Sequence, residues 1–243
     1  METRTAEPRT YWLARHVHVC RSGTSVVLLD LRQDQYIGVT GEVMDGLGGT
    51  IAGWPAGAPA NAATASRCAD LLAKMRTSGM LAPDAQTGKP AEPISMPRAE
   101  SPLIEGYRKK PVKITPRDVS RFVGACASAR LQMRCFSLER LVSRARARHP
   151  TGTAPHLQPD LARVRDCVQV FRRLRPLLYT GHDACLLDSF TLRLFLARHG
   201  FGPRWVFGVR TGPFTAHCWL QDGTVVINDT PEQVRRFTPI MVV

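Results

Sequence analysis

The chain has no apolar run of the ~18 residues that a membrane-spanning helix needs, and its opening, METRTAEPRTYW, lacks the apolar stretch of a signal peptide. Both absences point to a cytoplasmic chain. Its seven cysteines are odd in number and scattered, and no two form a CxxC pair. That argues against a disulfide framework and a zinc finger, and for free thiols in a reducing compartment. Aromatic residues make up only 7% of the chain and do not interleave with its basic run. A stacking platform for single-stranded nucleic acid is therefore poorly supported. There is no internal repeat.

What is present is positive charge, unevenly placed. The net charge is +13, yet residues 1–97 carry nine Lys/Arg and nine Asp/Glu, a balance of zero. Residues 98–175 carry 18 against 6, and residues 176–243 carry 6 against 5. The excess thus defines one basic helical surface in the middle of the chain. It would suit an acidic peptide, an acidic partner protein or a polyphosphate, or it is a solvated arginine-rich face.

The 243 residues suffice for two domains with their own cores. Short β-type segments fill residues 11–39: YWLARHVHVC, TSVVLLDL after Ser22 and Gly23, and QYIGVT after RQD. NAATASRCADLLAKMRTSGML places Cys68, Leu71, Leu72 and Met75 at helical spacing, with Gly79 as its stop. Residues 83–116 contain seven prolines and little periodicity, and read as a linker. From Pro116 the pattern is helical, and after residue 200 the runs RWVFGVR, FTAHCWLQ and TVVIND read as an antiparallel sheet with a hairpin turn at Asp222-Gly223. The expected class is α+β. A winged-helix-like domain with a three-stranded sheet spans 1–82, a proline-rich linker 83–115, and a domain of helices followed by a sheet 116–243.

HDACLLDSFTLRLFLARHG, residues 182–200, reads as an amphipathic helix that opens on a thiol and ends at a glycine. A cysteine at a helix N-terminus feels the positive end of the macrodipole and ionises more readily than one in the core. A thiolate nucleophile needs a base, and the base needs a group to orient it. The strand FTAHCWLQ offers His217, with Phe214 and Trp219 close in sequence to exclude water, and Asp229 follows across the Asp222-Gly223 turn. Taken singly, each of Cys185, His217 and Asp229 has an ordinary structural role open to it; together they form one arrangement, Cys, His, Asp. His182 is a rival base, and Tyr179 or His182 a rival helper of the oxyanion. Cys218 adjoins His217, so strand alternation turns it to the opposite face. This chemistry calls for no metal and no cofactor.

The stretches DACLLDSFTLRLFLARHGF and FTAHCWLQDGTVVIND, with RRLRPLL upstream, resemble the transglutaminase-like cysteine peptidases of lasso-peptide biosynthesis, the B-type maturation proteases, over residues 165–243. The resemblance implies a transglutaminase/papain-like fold and puts Cys185, His217 and Asp229 on the family's catalytic triad. The first 80 residues resemble the PqqD-like RiPP recognition element that some members carry. By that resemblance the leader of a ribosomally made precursor would add as a strand along Gln35, Tyr36, Ile37 and Val39, with Leu71 and Met75 of the following helix lining pockets. The peptidase would cut leader from core, and an ATP-dependent cyclase of the asparagine-synthetase type would close the macrolactam. Acyl transfer to an amine, as in transglutaminases, uses the same triad order. A third alternative is a non-enzymatic winged-helix protein binding nucleic acid or peptide, although its winged-helix candidate is electrically neutral.

Overall fold

The computed structural model describes residues 10–54, 61–104, 112–148, 161–177 and 185–243. The fold is α+β, and the chain divides between Ile94 and Ser95 into two compact units.

The first unit opens with strands β1 (Trp12–Ala14), β2 (Val17–Ser22), β3 (Ser25–Asp30) and β4 (Gln35–Thr40). The run YWLARHVHVC is two strands rather than one. β1 pairs with the short strands β5 (Leu81–Ala82) and β6 (Gly88–Lys89), while β2, β3 and β4 form a separate antiparallel sheet in that order. The turn from β3 to β4 is made by Asp30, whose carboxylate accepts hydrogen bonds from the amides of Arg32 and Gln33. Between β4 and β5 lie helices α1 (Gly41–Asp45) and α2 (Ala62–Thr77). Asn61 caps α2 by accepting from the Thr64 amide at 2.8 Å. Alternation sends Val19, Leu28 and Ile37 to one face of the sheet, where they join a core with Met44, Cys68 and Met75.

The second unit begins inside the stretch expected to be a linker. Residues 83–115 supply β6 to the first unit, and to the second β7 (Ser101–Pro102), which pairs in parallel with β10 (Val225–Val226). Proline there interrupts periodicity without preventing edge pairing. Helices α3 (Pro116–Cys135), α4 (Leu138–Arg148), α5 (Leu161–Leu174) and α6 (Cys185–Ala197) precede the sheet. Thr115 and Asp118 close a reciprocal capping box at the start of α3. Strands β8 (Arg204–Arg210), β9 (Thr215–Asp222) and β11 (Thr238–Val242), with the short helix α7 (Pro231–Val234) before β11, complete a five-stranded sheet ordered β11-β8-β9-β10-β7.

The helix expected to be amphipathic, α6, is instead buried continuously from Ser189 to Leu196. It lies between α3 and α5 on one side and β8 and β9 on the other, so every face meets protein. Phe195 joins Phe122 and Phe171 with ring centroids 5.4–6.3 Å apart, and Phe190 stacks on Trp205 at 5.1 Å. Arg193 is buried and donates to the Ala145 carbonyl at 3.1 Å. This packing on all sides fixes the helix and hence the position of its first residue, Cys185. Among the described residues no helix is long and apolar enough to cross a membrane.

Candidate active site

His217 sits on β9 opposite Gly208 of β8. Its register neighbours alternate faces: Cys218 and Leu220, with Phe207 and Trp205 across from them, turn toward α6, while His217 and Trp219 turn the other way. On that second face Trp219 stacks on the imidazole with centroids 6.0 Å apart, and Phe237 lies 5.1 Å away. The indole is held by its own hydrogen bond to Gln221, which donates in turn to the carbonyls of Pro97 and Gly223. Gly208 makes room for this stack. A Cβ at that position would come within 2.8 Å of the Trp219 ring and 2.9 Å of the Phe237 Cβ. Phe237 therefore shields the ring, whereas Phe214, expected in that role, is 51% exposed beyond the strand's start.

Asp229 lies past the end of β10. That strand stops at Val226, and the Asn228 side chain takes over its pairing role by accepting from the Leu220 amide at 2.8 Å. The chain then turns Asp229 back so that its Oδ2 is 2.6 Å from His217 Nε2. The other oxygen, Oδ1, accepts from the Thr230 amide at 2.7 Å, and Thr230 caps α7. With Nε2 occupied by the carboxylate, Nδ1 is the nitrogen left to serve the thiol.

Cys185 is half-buried at the first residue of α6, the helix that packs on β9. The side chain and backbone amide of Cys218 and the His217 ring favour its ionised form. Alternation does turn Cys218 away from His217, but the face it turns to is the one from which α6 presents Cys185.

The electrostatics follow from these contacts. The Cys218 thiol and the His217 ring outweigh burial and pull the Cys185 thiol down to about 4. Burial pulls His217 down, but its hydrogen bonds and charge attraction to Asp229 and Cys185 prevail and raise it to about 9. Between those values the pair is a thiolate beside an imidazolium. The Cys185 thiolate and burial push Cys218 well above the usual thiol range.

In the first unit, β4 pairs among the described residues with β3 alone in its sheet. Gln35, Ile37 and Val39 share one face and Tyr36 the other. Ile37, Val39 and Leu71 are partly buried against the core, and Met75 is 1% exposed within it. Its helical spacing fits that core position. Tyr179 and His182 lie outside the described residues. Sequence reasoning missed Gly208 and Phe237. The glycine inside an otherwise apolar strand, RWVFGVR, was the one available signal, since a glycine there marks close approach by another group.

Comparison with known proteins agrees with this architecture. Residues 124–242, which hold most of the helices and sheet around Cys185, match the transglutaminase-like superfamily. The chain is also similar to the microcin J25-processing protein McjB of Escherichia coli, 43% identical over 47 residues. That similarity covers 19% of this chain and 23% of McjB, so less than a quarter of that protein's length is spanned. No solved structure matches the chain.

Proposed function

We propose that the protein is a cysteine peptidase that cuts the leader from a ribosomally made lasso-peptide precursor, with Cys185, His217 and Asp229 as its catalytic triad. The observation that carries the reading is the chain of contacts from thiol to imidazole to carboxylate at the head of a buried helix, in a transglutaminase-like region, together with the similarity to a microcin-processing protein.

The Cys185 thiolate adds to the scissile carbonyl, and the oxyanion faces the amides at the start of α6, including that of Cys185. His217 gives its Nδ1 proton to the leaving amine of the core, and a thioester to the leader remains. Asp229 holds the ring and stabilises its charged form. Water, deprotonated by His217, then attacks the thioester; the leader leaves as a carboxylic acid and Cys185 is regenerated. The β4 edge, along Gln35, Tyr36, Ile37 and Val39, with Leu71 beside it, is where we place the leader. The freed core amine is the group that an ATP-dependent, asparagine-synthetase-like cyclase would join to an acidic side chain. The arginines of α3, α4 and α5 offer a surface for either partner.

The test is to mix the purified chain with a lasso precursor encoded in the same gene neighbourhood, quench in acid and weigh the intact protein. The expected species is the chain plus the leader as an acyl group on Cys185, discharged to free leader with time. Adding glycine ethyl ester separates hydrolysis from acyl transfer: leader bearing that amine as the main product would favour the transferase. No adduct at Cys185 under any of these conditions would overturn both.

A further inference from the structure

The sheet face that carries His217 also carries a cavity that the reaction above leaves unused. It holds about 240 Å³ and lies within the second unit. Trp219 and Phe237, the rings 6.0 and 5.1 Å from the imidazole, form part of its wall. Ala99 and Val234, buried in one core cluster with those two rings, extend the apolar lining. Gln221, 2% exposed, holds the shape: its Oε1 accepts the Trp219 indole N–H at 2.9 Å, and its Nε2 donates to the Pro97 carbonyl at 2.9 Å. The charge in the lining is of one sign. Arg98 and Arg235 are exposed, and among the described residues no carboxylate lines the cavity. Arg235 pairs with Glu232 at 3.2 Å, but that carboxylate is 70% exposed and such surface pairs hold weakly. Arg98 has no hydrogen-bond or ion-pair partner among the described residues.

Apolar walls with two exposed guanidinium groups and no carboxylate suit an apolar side chain that has a carboxylate beside it. They disfavour the same side chain beside a lysine. At about 240 Å³ the space is smaller than the roughly 300–1,000 Å³ of a pocket for a drug-sized ligand, and it suits a single side chain. We propose that this cavity is a substrate subsite, taking an apolar side chain of the peptide while Arg98 and Arg235 hold an acidic neighbour. The inference rests on reading Cys185 and His217 as acting on a peptide bond. An extended peptide advances about 3.3–3.6 Å per residue, so from a scissile bond beside His217 it reaches the cavity wall within about three residues. Selectivity near the cut then comes from the same rings that flank the base.

The experiment titrates the isotope-labelled full chain carrying Cys185→Ala with three blocked dipeptides, Leu-Glu, Leu-Lys and Gly-Glu. It follows the indole N–H resonance of Trp219, assigned by single Trp→Phe substitutions. That signal should move saturably with Leu-Glu, and Leu-Lys and Gly-Glu should each bind about tenfold more weakly. Arg98→Glu combined with Arg235→Glu should reverse the preference for Leu-Glu over Leu-Lys. No movement of the Trp219 signal, equal affinities for Leu-Glu and Leu-Lys, or an order unchanged in the double variant would overturn the proposal. In wild type, Leu-Glu should inhibit precursor cleavage competitively; noncompetitive inhibition would take the cavity off the substrate's path and overturn it as a subsite. The titration needs no turnover, so a failure of precursor cleavage would sink the peptidase reading while the cavity's preference is still read.

Discussion

Replacing Asp229 by asparagine keeps the size and one acceptor oxygen but removes the charge that His217 Nε2 meets at 2.6 Å. The imidazole, ordinarily near 6.5, is held at about 9, a difference worth about 3 kcal/mol in favour of the imidazolium. Both side chains of the contact are only 20% exposed, so solvent screening does not erase it. Asp229 and the Cys185 thiolate share that stabilisation against burial. A charge-assisted hydrogen bond contributes roughly 1.5–3 kcal/mol, so losing the carboxylate should lower His217 by about one to two pH units. The sign follows from the roles. Activity rises as Cys185 ionises, through about 4, and falls as His217 loses the proton it gives to the leaving amine, through about 9. Asp229→Asn should therefore move the alkaline limb of kcat/KM down while moving the acid limb little, with a plateau lowered about 10- to 100-fold. The assay is the pH profile of precursor cleavage by both proteins. An alkaline limb at the same pH in both would refute the assignment of His217 as an Asp229-stabilised acid.

Other outcomes follow from the same packing. Gly208→Ala should cost about 1–3 kcal/mol by overpacking, because its Cβ meets Trp219 and Phe237 inside 3 Å. Since those rings flank His217, kcat should fall as well; urea unfolding and steady-state kinetics check both. Phe195→Ala opens the cluster with Phe122 and Phe171 and should cost about 3–5 kcal/mol, read by the same unfolding assay. Asn61→Ala removes the cap that receives the Thr64 amide and should lower stability by about 1 kcal/mol while leaving Cys185 alkylation unchanged.

Local signals in the chain were readable where their physics is local. The α2 helix shows in its spacing, its Asn61 start and Gly79, which adopts φ +70° just past its end. Cys185, His217 and Asp229 could be picked out because a helix start, a strand and a turn lie close together in sequence. What sequence could not carry is cross-strand register. That Gly208 stands opposite His217 and that Phe237 covers the ring both depend on pairings made only in three dimensions. Periodicity likewise cannot tell a core residue from a pocket wall, and the helical spacing of Met75 fits the core position it takes. The continuous burial of α6 is hidden for a similar reason: Ser189, Thr191 and Arg193 are polar by type, and only their partners make them interior residues.

The central claim is that Cys185 attacks a peptide bond between leader and core. Wild type and Cys185→Ala, incubated with the same precursor with and without the cyclase and ATP, give the most direct answer by mass spectrometry of the peptides. Intact leader ending in a free carboxylate, and core with a free amine, should appear with wild type and not with Cys185→Ala. Equal cleavage by both proteins, or none by either with cyclase and ATP present, would contradict the account.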